Sequence, residues 1–296
     1  MKKLLIVLLV LILVFFFLAG VSEAKGLIKG LSFKLSGGYS TAKVGDINAY
    51  AQELDSYFKE TADDLDLTKQ GKFANLVAGL HFEGEIIVNL FGNLGIGIGT
   101  GYVQWNNESE LALIQDEANL YEGYFKPGIT AIPVYLSAYY FYSVTSSMKL
   151  YFKAGVGYYF GKSSVIYRIT QDDPLTGLYW ENTESEIKGQ DLGYHAGFGY
   201  EFDIGSNFVF FIEGKARYCK LKNWKGDVTY TDSNGVTNQD SGTMWYYEEF
   251  DPVTRSSRVR IVVSGERPDD PAFTTVRGFE ADFSGVSFFA GLKIRF

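Results

Sequence analysis

Apolar and polar side chains alternate along eight separate segments of this sequence, and this alternation is the feature that most limits the possible folds. In the last segment, Val286, Phe288 and Leu292 fall on one face of an extended strand and Lys293 and Arg295 on the other, because successive side chains of a strand point to opposite sides. In a soluble sandwich the charged face would be the wet outside. Here, however, the polar face combines charge with glycine and with residues that fit an interior. The pattern is typical of strands that face lipid on one side and a polar lumen on the other.

The connections between these segments alternate in length. The eight predicted strands cover residues 28–40, 74–88, 94–102, 129–142, 148–161, 190–203, 208–219 and 286–296. The three short turns cover residues 89–93, 143–147 and 204–207, and the four long loops cover residues 41–73, 106–127, 163–188 and 221–282. A soluble sandwich has no reason to sort its loops by length. The sequence therefore predicts an all-β fold, an eight-stranded antiparallel up-and-down transmembrane β-barrel with four long extracellular loops.

Three local features refine this prediction. Apolar residues of the first long loop recur at helical spacing after a candidate cap at Asp46, which predicts a short amphipathic helix. The recurring residues are Ile47, Tyr50, Leu54, Tyr57 and Phe58. A hairpin is expected around residues 232–235 of the fourth loop. Pro133 is expected to break the fourth strand, both faces of which are apolar.

Composition agrees with a barrel and excludes some partners. Aromatic residues make up 17% of the chain, which also contains 33 glycines and only six prolines, as suits many strands in close backbone contact. The formal net charge of -8 argues against nucleic acid, which attracts basic surfaces. Cys219 is the only cysteine, so no internal disulfide can form.

The N-terminal segment has the features of a secretory signal peptide. Lys2 and Lys3 precede an apolar run over residues 4–18, and small residues flank one spacer at residues 22–24. We expect cleavage after Ala24, with residues 25–296 forming the barrel. An uncleaved membrane anchor is the alternative, because the uncharged run from residue 4 to residue 21 reaches the lower limit for a membrane-spanning helix.

A terminal aromatic residue, Phe296, on a last amphipathic strand resembles the assembly signal of bacterial outer-membrane barrels. Over the whole mature chain, the pattern resembles the eight-stranded family that includes the barrel domain of outer-membrane protein A and the small barrel W. The resemblance implies residence in the bacterial outer membrane, contact with its lipid and lipopolysaccharide, and recognition by the barrel-assembly machinery. Because the sequence stops at Phe296, the peptidoglycan-binding module of outer-membrane protein A is not expected.

The polar faces of the strands converge on the predicted lumen. They supply a network of charged and imidazole side chains whose members are Lys34, His81, Glu83, Glu85, Lys153, His195, Glu201, Glu213, Lys215, Arg217, Lys293 and Arg295. Eight strands leave an interior just wide enough for side chains to fill, and opposite charges in a partly dry interior should pair. We therefore expect an ion-pair core that blocks free diffusion. A narrow gated pore is the alternative.

No motif in the sequence assigns a catalytic residue, a cofactor or a metal, and none of the acidic clusters has the ligand spacing of a calcium loop. The leading hypothesis is a structural or surface-interaction role, with any extracellular ligand bound by the long loops. The second is a narrow channel or lateral transporter of small apolar molecules. The third is a lipid-modifying enzyme, which would need His81 or His195 to meet a serine and a carboxylate.

Overall fold

A computed structural model describes residues 28–90, 92–115, 118–173, 177–251 and 256–296; the predicted signal peptide, residues 1–24, lies outside them. Within those ranges no helix combines the length and the apolar character needed to cross a bilayer. The single helix described, α1, spans Asp46–Asp64. The strands are β1 Ile28–Thr41, β2 Thr68–Gly71, β3 Ala78–Leu90, β4 Leu94–Asn106, β5 Ser109–Gln115, β6 Ala118–Ser143, β7 Met148–Asp173, β8 Gly177–Asp203, β9 Phe208–Leu221, β10 Lys225–Asp232, β11 Thr237–Asp251, β12 Ser256–Ser264, β13 Phe273–Gly278, β14 Ala281–Asp282 and β15 Gly285–Arg295.

Eight of these strands close into a ring, in the order β1, β3, β4, β6, β7, β8, β9, β15 and back to β1. Every neighbouring pair is antiparallel, and the first and last strands of the chain pair over residues 32–40 and 287–295. Strands β8 and β9 join through a short turn and complete the circle. The predicted eight-stranded antiparallel up-and-down barrel is confirmed.

The outer face of the ring carries a continuous belt of exposed apolar side chains. Leu35, Phe152, Phe198, Ile212 and Phe288 are between 45% and 69% exposed. Leaving this much apolar surface in water is unfavourable by roughly 25 cal/mol for each Å². A belt around the whole wall is the surface that membrane barrels present to hydrocarbon.

The two ends of the ring differ. Three short turns, β3 to β4, β6 to β7 and β8 to β9, lie at one end together with the start of β1 and the end of β15. At the other end β6, β7 and β8 run on well past the belt as strands of 26 or 27 residues. The part of the protein beyond the belt at this end, built on those three strands, is called the extension below.

The predictions of loops at residues 106–127 and 163–188 are wrong. Residues 163–188 form the distal halves of β7 and β8, which pair continuously up to Asp173 and Gly177. Most of residues 106–127 form β5 and the first half of β6, which pair with each other. The predicted second strand also begins too early, since β3 starts at Ala78. The alternation continues through these segments, but the polar and apolar faces exchange sides.

Strands added at both edges complete the wall of the extension. Strands β10, β11 and β12 follow β8, while β5 and β2 follow β6. Helix α1 lies between β12 and β2, the two outermost strands of this set. Its Asp55 carboxylate is 2.8 Å from Lys69 Nζ on β2, and its Glu60 carboxylate is 2.8 Å from an Arg258 guanidinium nitrogen on β12. The helix thereby fills the gap in the wall of the extension between β12 and β2.

The predicted helix is confirmed, with two corrections. The N-cap is Gly45, so Asp46 is the first helical residue and not the cap. The Asp46 carboxylate instead accepts two hydrogen bonds of 2.7 Å from the Arg277 guanidinium and one of 2.8 Å from the Glu280 amide. Ile47, Leu54 and Phe58 are buried as their spacing predicts, whereas Tyr57 is 43% exposed.

Pro133 does not break its strand, because β6 continues through it. The backbone ladder between β4 and β6 is nevertheless interrupted there: it pairs Thr100 with Val134 and resumes with Val103 and Ala131. Proline has no amide hydrogen to donate. The Thr100 hydroxyl donates a 2.8 Å hydrogen bond to the Pro133 carbonyl beside the interruption. The hairpin predicted around residues 232–235 is confirmed between β10 and β11.

An apolar plug separates the lumen, the interior of the ring, from the extension. Its buried members include Val103, Trp105, Ile129, Ala131, Leu221, Trp224, Phe279 and Phe283. Glycines on the wall allow Trp224 to lie flat against it: a Cβ on Gly189 would meet its Cδ2 at 2.5 Å, and one on Gly161 would meet its Cη2 at 2.7 Å. The lumen is thus closed at its distal end by packed aromatic rings.

Candidate functional site

The structure places the twelve predicted lumen residues on the inner face of the ring or at its rim. Eleven of them are at most 6% exposed. The side chain of Arg295, at the end with the short turns, is 24% exposed. They are arranged in levels along the barrel axis, and each level pairs at least one carboxylate with cations.

The middle level centres on Glu213. Its carboxylate pairs with Lys34 and lies 2.7 Å from Lys153 Nζ, and it accepts a 2.7 Å hydrogen bond from the Tyr151 hydroxyl. Lys153 Nζ is also 3.8 Å from Glu85, which accepts a 2.5 Å hydrogen bond from Tyr139. One carboxylate therefore pairs with two buried lysines, so its removal would leave both without their closest partner.

The level nearer the plug centres on Glu83. Its carboxylate pairs with Lys215, lies 2.9 Å from His81 Nε2, and accepts a 3.3 Å hydrogen bond from Tyr135. Above it, Arg217 lies over the Trp105 ring at 5.5 Å and donates hydrogen bonds to the carbonyls of Phe283 and Thr41. The guanidinium is held here by neutral oxygens and an aromatic face.

The level at the short-turn end centres on Glu201, which lies 2.7 Å from Lys293 Nζ and 3.3 Å from Arg295. Arg295 also lies 2.7 Å from Asp203, which sequence reasoning missed. Asp203 follows Glu201 by two residues and so lies on the same face of the strand. The alternation of side chains could therefore have assigned it to the lumen.

Sequence reasoning also missed three tyrosines whose hydroxyls bind the lumen carboxylates. Tyr135 and Tyr139 lie on β6, both faces of which looked apolar, and Tyr151 was not assigned to a face. All three are at most 3% exposed and donate to Glu83, Glu85 and Glu213. Tyr135 and Tyr139 are four residues apart and therefore share a face of β6, so the period of two could have placed their hydroxyls in one inward row.

The two histidines do meet serines. His81 Nδ1 is 3.4 Å from the Ser287 hydroxyl, and with Glu83 this makes a serine, a histidine and a carboxylate. His195 Nε2 is 2.9 Å from the Ser137 hydroxyl. However, Ser287 has no exposed surface, its hydroxyl donates to Ser40 Oγ at 2.9 Å, and it lies beneath the plug. A nucleophile needs a reacting carbon within reach, and the Ser287 hydroxyl has no surface that a substrate could contact in this structure.

A second candidate site lies in the extension, above the plug. It is a partly open cavity of about 240 Å³, lined by residues of α1, β6, β7, β8, β10, β11 and β12. We call it the chamber. Its lining residues are Ile47, Tyr50, Phe125, Val165, Tyr167, Glu181, Thr183, Ser185, Val228, Tyr230, Met244, Ile261 and Val263. Apolar and aromatic side chains dominate, which is typical of small-molecule sites.

The described residues include no group of three or more histidine, cysteine, aspartate or glutamate side chains placed to hold a metal ion. Acidic residues of the first and fourth predicted loops, such as Asp63, Asp64, Asp269 and Asp270, are exposed on the extension.

A closed ring of eight antiparallel strands with an apolar belt outside and paired charges inside is the architecture of outer-membrane barrels. The chain folds as an outer-membrane-type β-barrel. No known protein family matches the sequence, and no curated protein is significantly similar to it.

Solved outer-membrane proteins show a distant structural similarity to this chain. A major outer membrane protein from Thermus thermophilus has 12% identity and a TM-score of 0.41, covering 90% of this chain and 99% of that one. The outer membrane protein OprG from Pseudomonas aeruginosa has 12% identity and a TM-score of 0.38, covering 92% and 98%. The outer membrane protease OmpT from Escherichia coli has 11% identity and a TM-score of 0.31, covering 90% and 97%. TM-scores this low assign neither a relationship nor an activity.

Proposed function

We propose that this protein is a non-conducting barrel of the bacterial outer membrane whose working part is the extension, exposed at the cell surface in a structural or surface-interaction role. The observation that carries the proposal is that two separate features obstruct the lumen. Buried ion pairs fill it, with Glu213 between Lys34 and Lys153, and the plug covers its distal end. A barrel wall committed to lipid and a lumen committed to charge pairing leave the extension as the part available to partners.

The direction of insertion follows from the two ends. Outer-membrane barrels keep short turns in the periplasm and long connections outside. The three short turns and the chain end at Phe296 therefore belong to the periplasmic side, and the hairpin between β10 and β11 belongs to the outside. Recognition of Phe296, which is 74% exposed, by the assembly machinery stays a prediction.

Cysteine labelling of whole cells tests this orientation. Cys219, the native thiol, is fully buried, so a membrane-impermeant maleimide should leave the parent protein unlabelled. Asn234→Cys, at the tip of the outer hairpin, should be labelled on intact cells, and Thr145→Cys, in a short turn, only after lysis. Labelling of both variants on intact cells, or of Thr145→Cys alone, would contradict the proposed orientation.

Recording in planar bilayers tests the closed lumen. The purified, folded protein should show no steady conductance of porin size, because paired side chains at the levels of Glu83, Glu213 and Glu201 occupy the lumen. Migration on an unheated gel should verify folding of the same sample. Steady porin-like conductance from the folded protein would refute a non-conducting barrel.

A second candidate function, lateral transport of small apolar molecules, is favoured by the interruption of the wall at Pro133. A missing pair of ladder hydrogen bonds is a local weak point between β4 and β6. The filled lumen behind it counts against a path, since the side chains of Glu83 and Tyr135 occupy that region. Pro133→Thr, which can restore the ladder, should slow uptake of an apolar tracer if the path exists and leave uptake unchanged if it does not.

We infer no catalytic role. The buried serine and histidine groups support hydrogen bonding within the lumen better than reaction with a lipid, because Ser287 and Ser137 are at most 1% exposed. His81→Asn and His195→Asn should therefore leave the lipid composition of the outer membrane unchanged. An altered lipid A profile in either variant, with the barrel folded, would favour the enzyme instead.

A further inference from the structure

The chamber has the size of a small ring compound. Its volume of about 240 Å³ exceeds the ~150 Å³ of an engineered apolar cavity that binds benzene and is below the ~300 Å³ at which drug-sized pockets begin. Four of its lining side chains are aromatic, contributed by α1, β6, β7 and β10: Tyr50, Phe125, Tyr167 and Tyr230. These faces favour a flat apolar guest.

The chamber is a partly open cavity with a buried floor. The plug forms its floor, since Ile47, Val228, Met244 and Val263 belong both to its lining and to the buried cluster that contains the plug. Even so, Tyr50, Val165, Tyr167, Tyr230 and Ile261 are only partly buried although they point inward. Their partial exposure means that these side chains border open volume.

Polar groups occur on one side of the chamber only. Glu181, Thr183 and Ser185 are successive inward residues of β8. Glu181 is exposed, which places its carboxylate at the mouth, and its side chain makes no ion pair or hydrogen bond with any residue in the described ranges. Arg260 is the nearby cation that acts on Tyr50, but it lies 2.9 Å from Glu249, which balances its charge.

The tyrosines of the chamber stay neutral. Burial raises the pKa of Tyr50 to about 12, and burial also raises the pKa of Tyr167 far above its ordinary value. The Glu181 carboxylate lines the same cavity as the two phenols and adds to the rise in the pKa of each. The chamber thus presents neutral rings inside and a single uncompensated negative charge at its mouth.

We propose that the chamber binds a small aromatic amine, with the ring among Tyr50, Phe125 and Tyr167 and the ammonium group beside Glu181. An apolar ring gains by leaving water, and an ammonium group held at the mouth keeps its hydration while it pairs with the carboxylate. An acid of the same size would place its carboxylate against Glu181. The proposal identifies one ligand class for the extension, and it stands whether or not the lumen conducts.

Calorimetric titration with a matched pair of probes tests the charge requirement. The probes are 2-phenylethylamine and 3-phenylpropionate, added to the folded protein in a zwitterionic detergent, with protein-free detergent as the blank. The amine should bind about fivefold to tenfold more tightly than the acid, since attraction replaces repulsion at a solvent-exposed carboxylate. Glu181→Gln, at an exposed position, should weaken amine binding about threefold to fivefold and leave acid binding no weaker than before.

A second pair of variants tests the location. Ile261→Trp places a much larger side chain in the chamber and should weaken binding of the amine about tenfold, whereas Val262→Trp, on the opposite face of the same strand, should leave it unchanged. Equal binding of amine and acid, an unchanged affinity in Glu181→Gln, or no binding of either probe would overturn the proposal. If Ile261→Trp does not fold, the Glu181→Gln result decides. Conductance or reversed labelling would refute the proposed function and leave these binding results standing.

Discussion

The barrel and the extension share strands, yet their interiors are opposite in character, and β7 shows the change within one element. Near the belt, its outward side chains are apolar, as at Phe152, while Lys153 points into the lumen. Beyond the plug, Lys162 points outward at the surface, while Val165 and Tyr167 point into the chamber. The alternation keeps its phase throughout the strand, so only the chemistry of the two faces changes.

The reason is the solvent outside the wall. Hydrocarbon around the ring makes apolar side chains favourable on the outer face and leaves polar groups to fill the interior. Water around the extension restores the ordinary arrangement, in which apolar side chains are buried. Residues 150–160 of β7 carry the apolar outer face, close to the ~9–11 residues that a tilted strand needs to cross a bilayer. The exchange of faces therefore marks the edge of the membrane.

The largest expected loss of stability comes from removing a carboxylate from the charged lumen. Glu213→Leu removes the carboxylate shared by Lys34 and Lys153 and should destabilise the barrel by about 3–5 kcal/mol, because two buried cations lose their closest partner. Urea titration in lipid vesicles, followed by gel migration, measures this. Glu186→Leu is the matched control on the outer face of the extension, where the carboxylate pairs with Lys162 in water. An equal loss in both variants would mean that the lumen is not drier than the surface.

A somewhat smaller loss of stability is expected from a charge placed in the apolar belt, and it locates the edge of the membrane along β7. Val156→Arg, in the belt region of β7, should destabilise the barrel by about 2–4 kcal/mol, since it moves a charge into hydrocarbon. Ile166→Arg, further along the same strand on the outer face of the extension, should leave barrel stability almost unchanged. Comparable losses from both substitutions, in the same vesicles, would argue that lipid also surrounds the extension.

The smallest expected effect is a loss of stability at alkaline pH, and it is confined to the extension. Because burial raises the pKa of Tyr50 to about 12, the neutral phenol stabilises the fold fully below pH ~10, and this contribution is lost as the pH rises through about 12. Two pKa units correspond to about 2.7 kcal/mol. We expect about 1–2 kcal/mol, since Tyr50 borders the open chamber.

Limited proteolysis between pH 9 and pH 12 measures this transition, with the gel-shifted barrel as an internal reference. Tyr50→Phe removes the ionisable group and should move digestion of the extension to higher pH. An unchanged profile in Tyr50→Phe would show that another group controls the transition.

Much of the ring was readable in the sequence, and most of the extension was not. The polar alternates placed Lys34, Glu83 and Glu213 on one face because a strand has a period of two, whatever its partners are. Residues 163–188 were predicted to be a loop because their polarity no longer matched a lipid-facing strand. The same period of two was present there, with Val165 and Tyr167 on the face that carried Lys153.

The sequence alone determined where strands alternate, which ends carry short turns and which residues share a face, because these properties depend on local backbone geometry. Only the tertiary structure decided which carboxylate meets which cation, how α1 closes the wall between β2 and β12, and that a chamber exists above Trp224. Those features depend on contacts between residues far apart in the chain, such as Lys34 with Glu213 and Glu60 with Arg258. Such contacts are set by strand register and ring closure, which no single segment encodes.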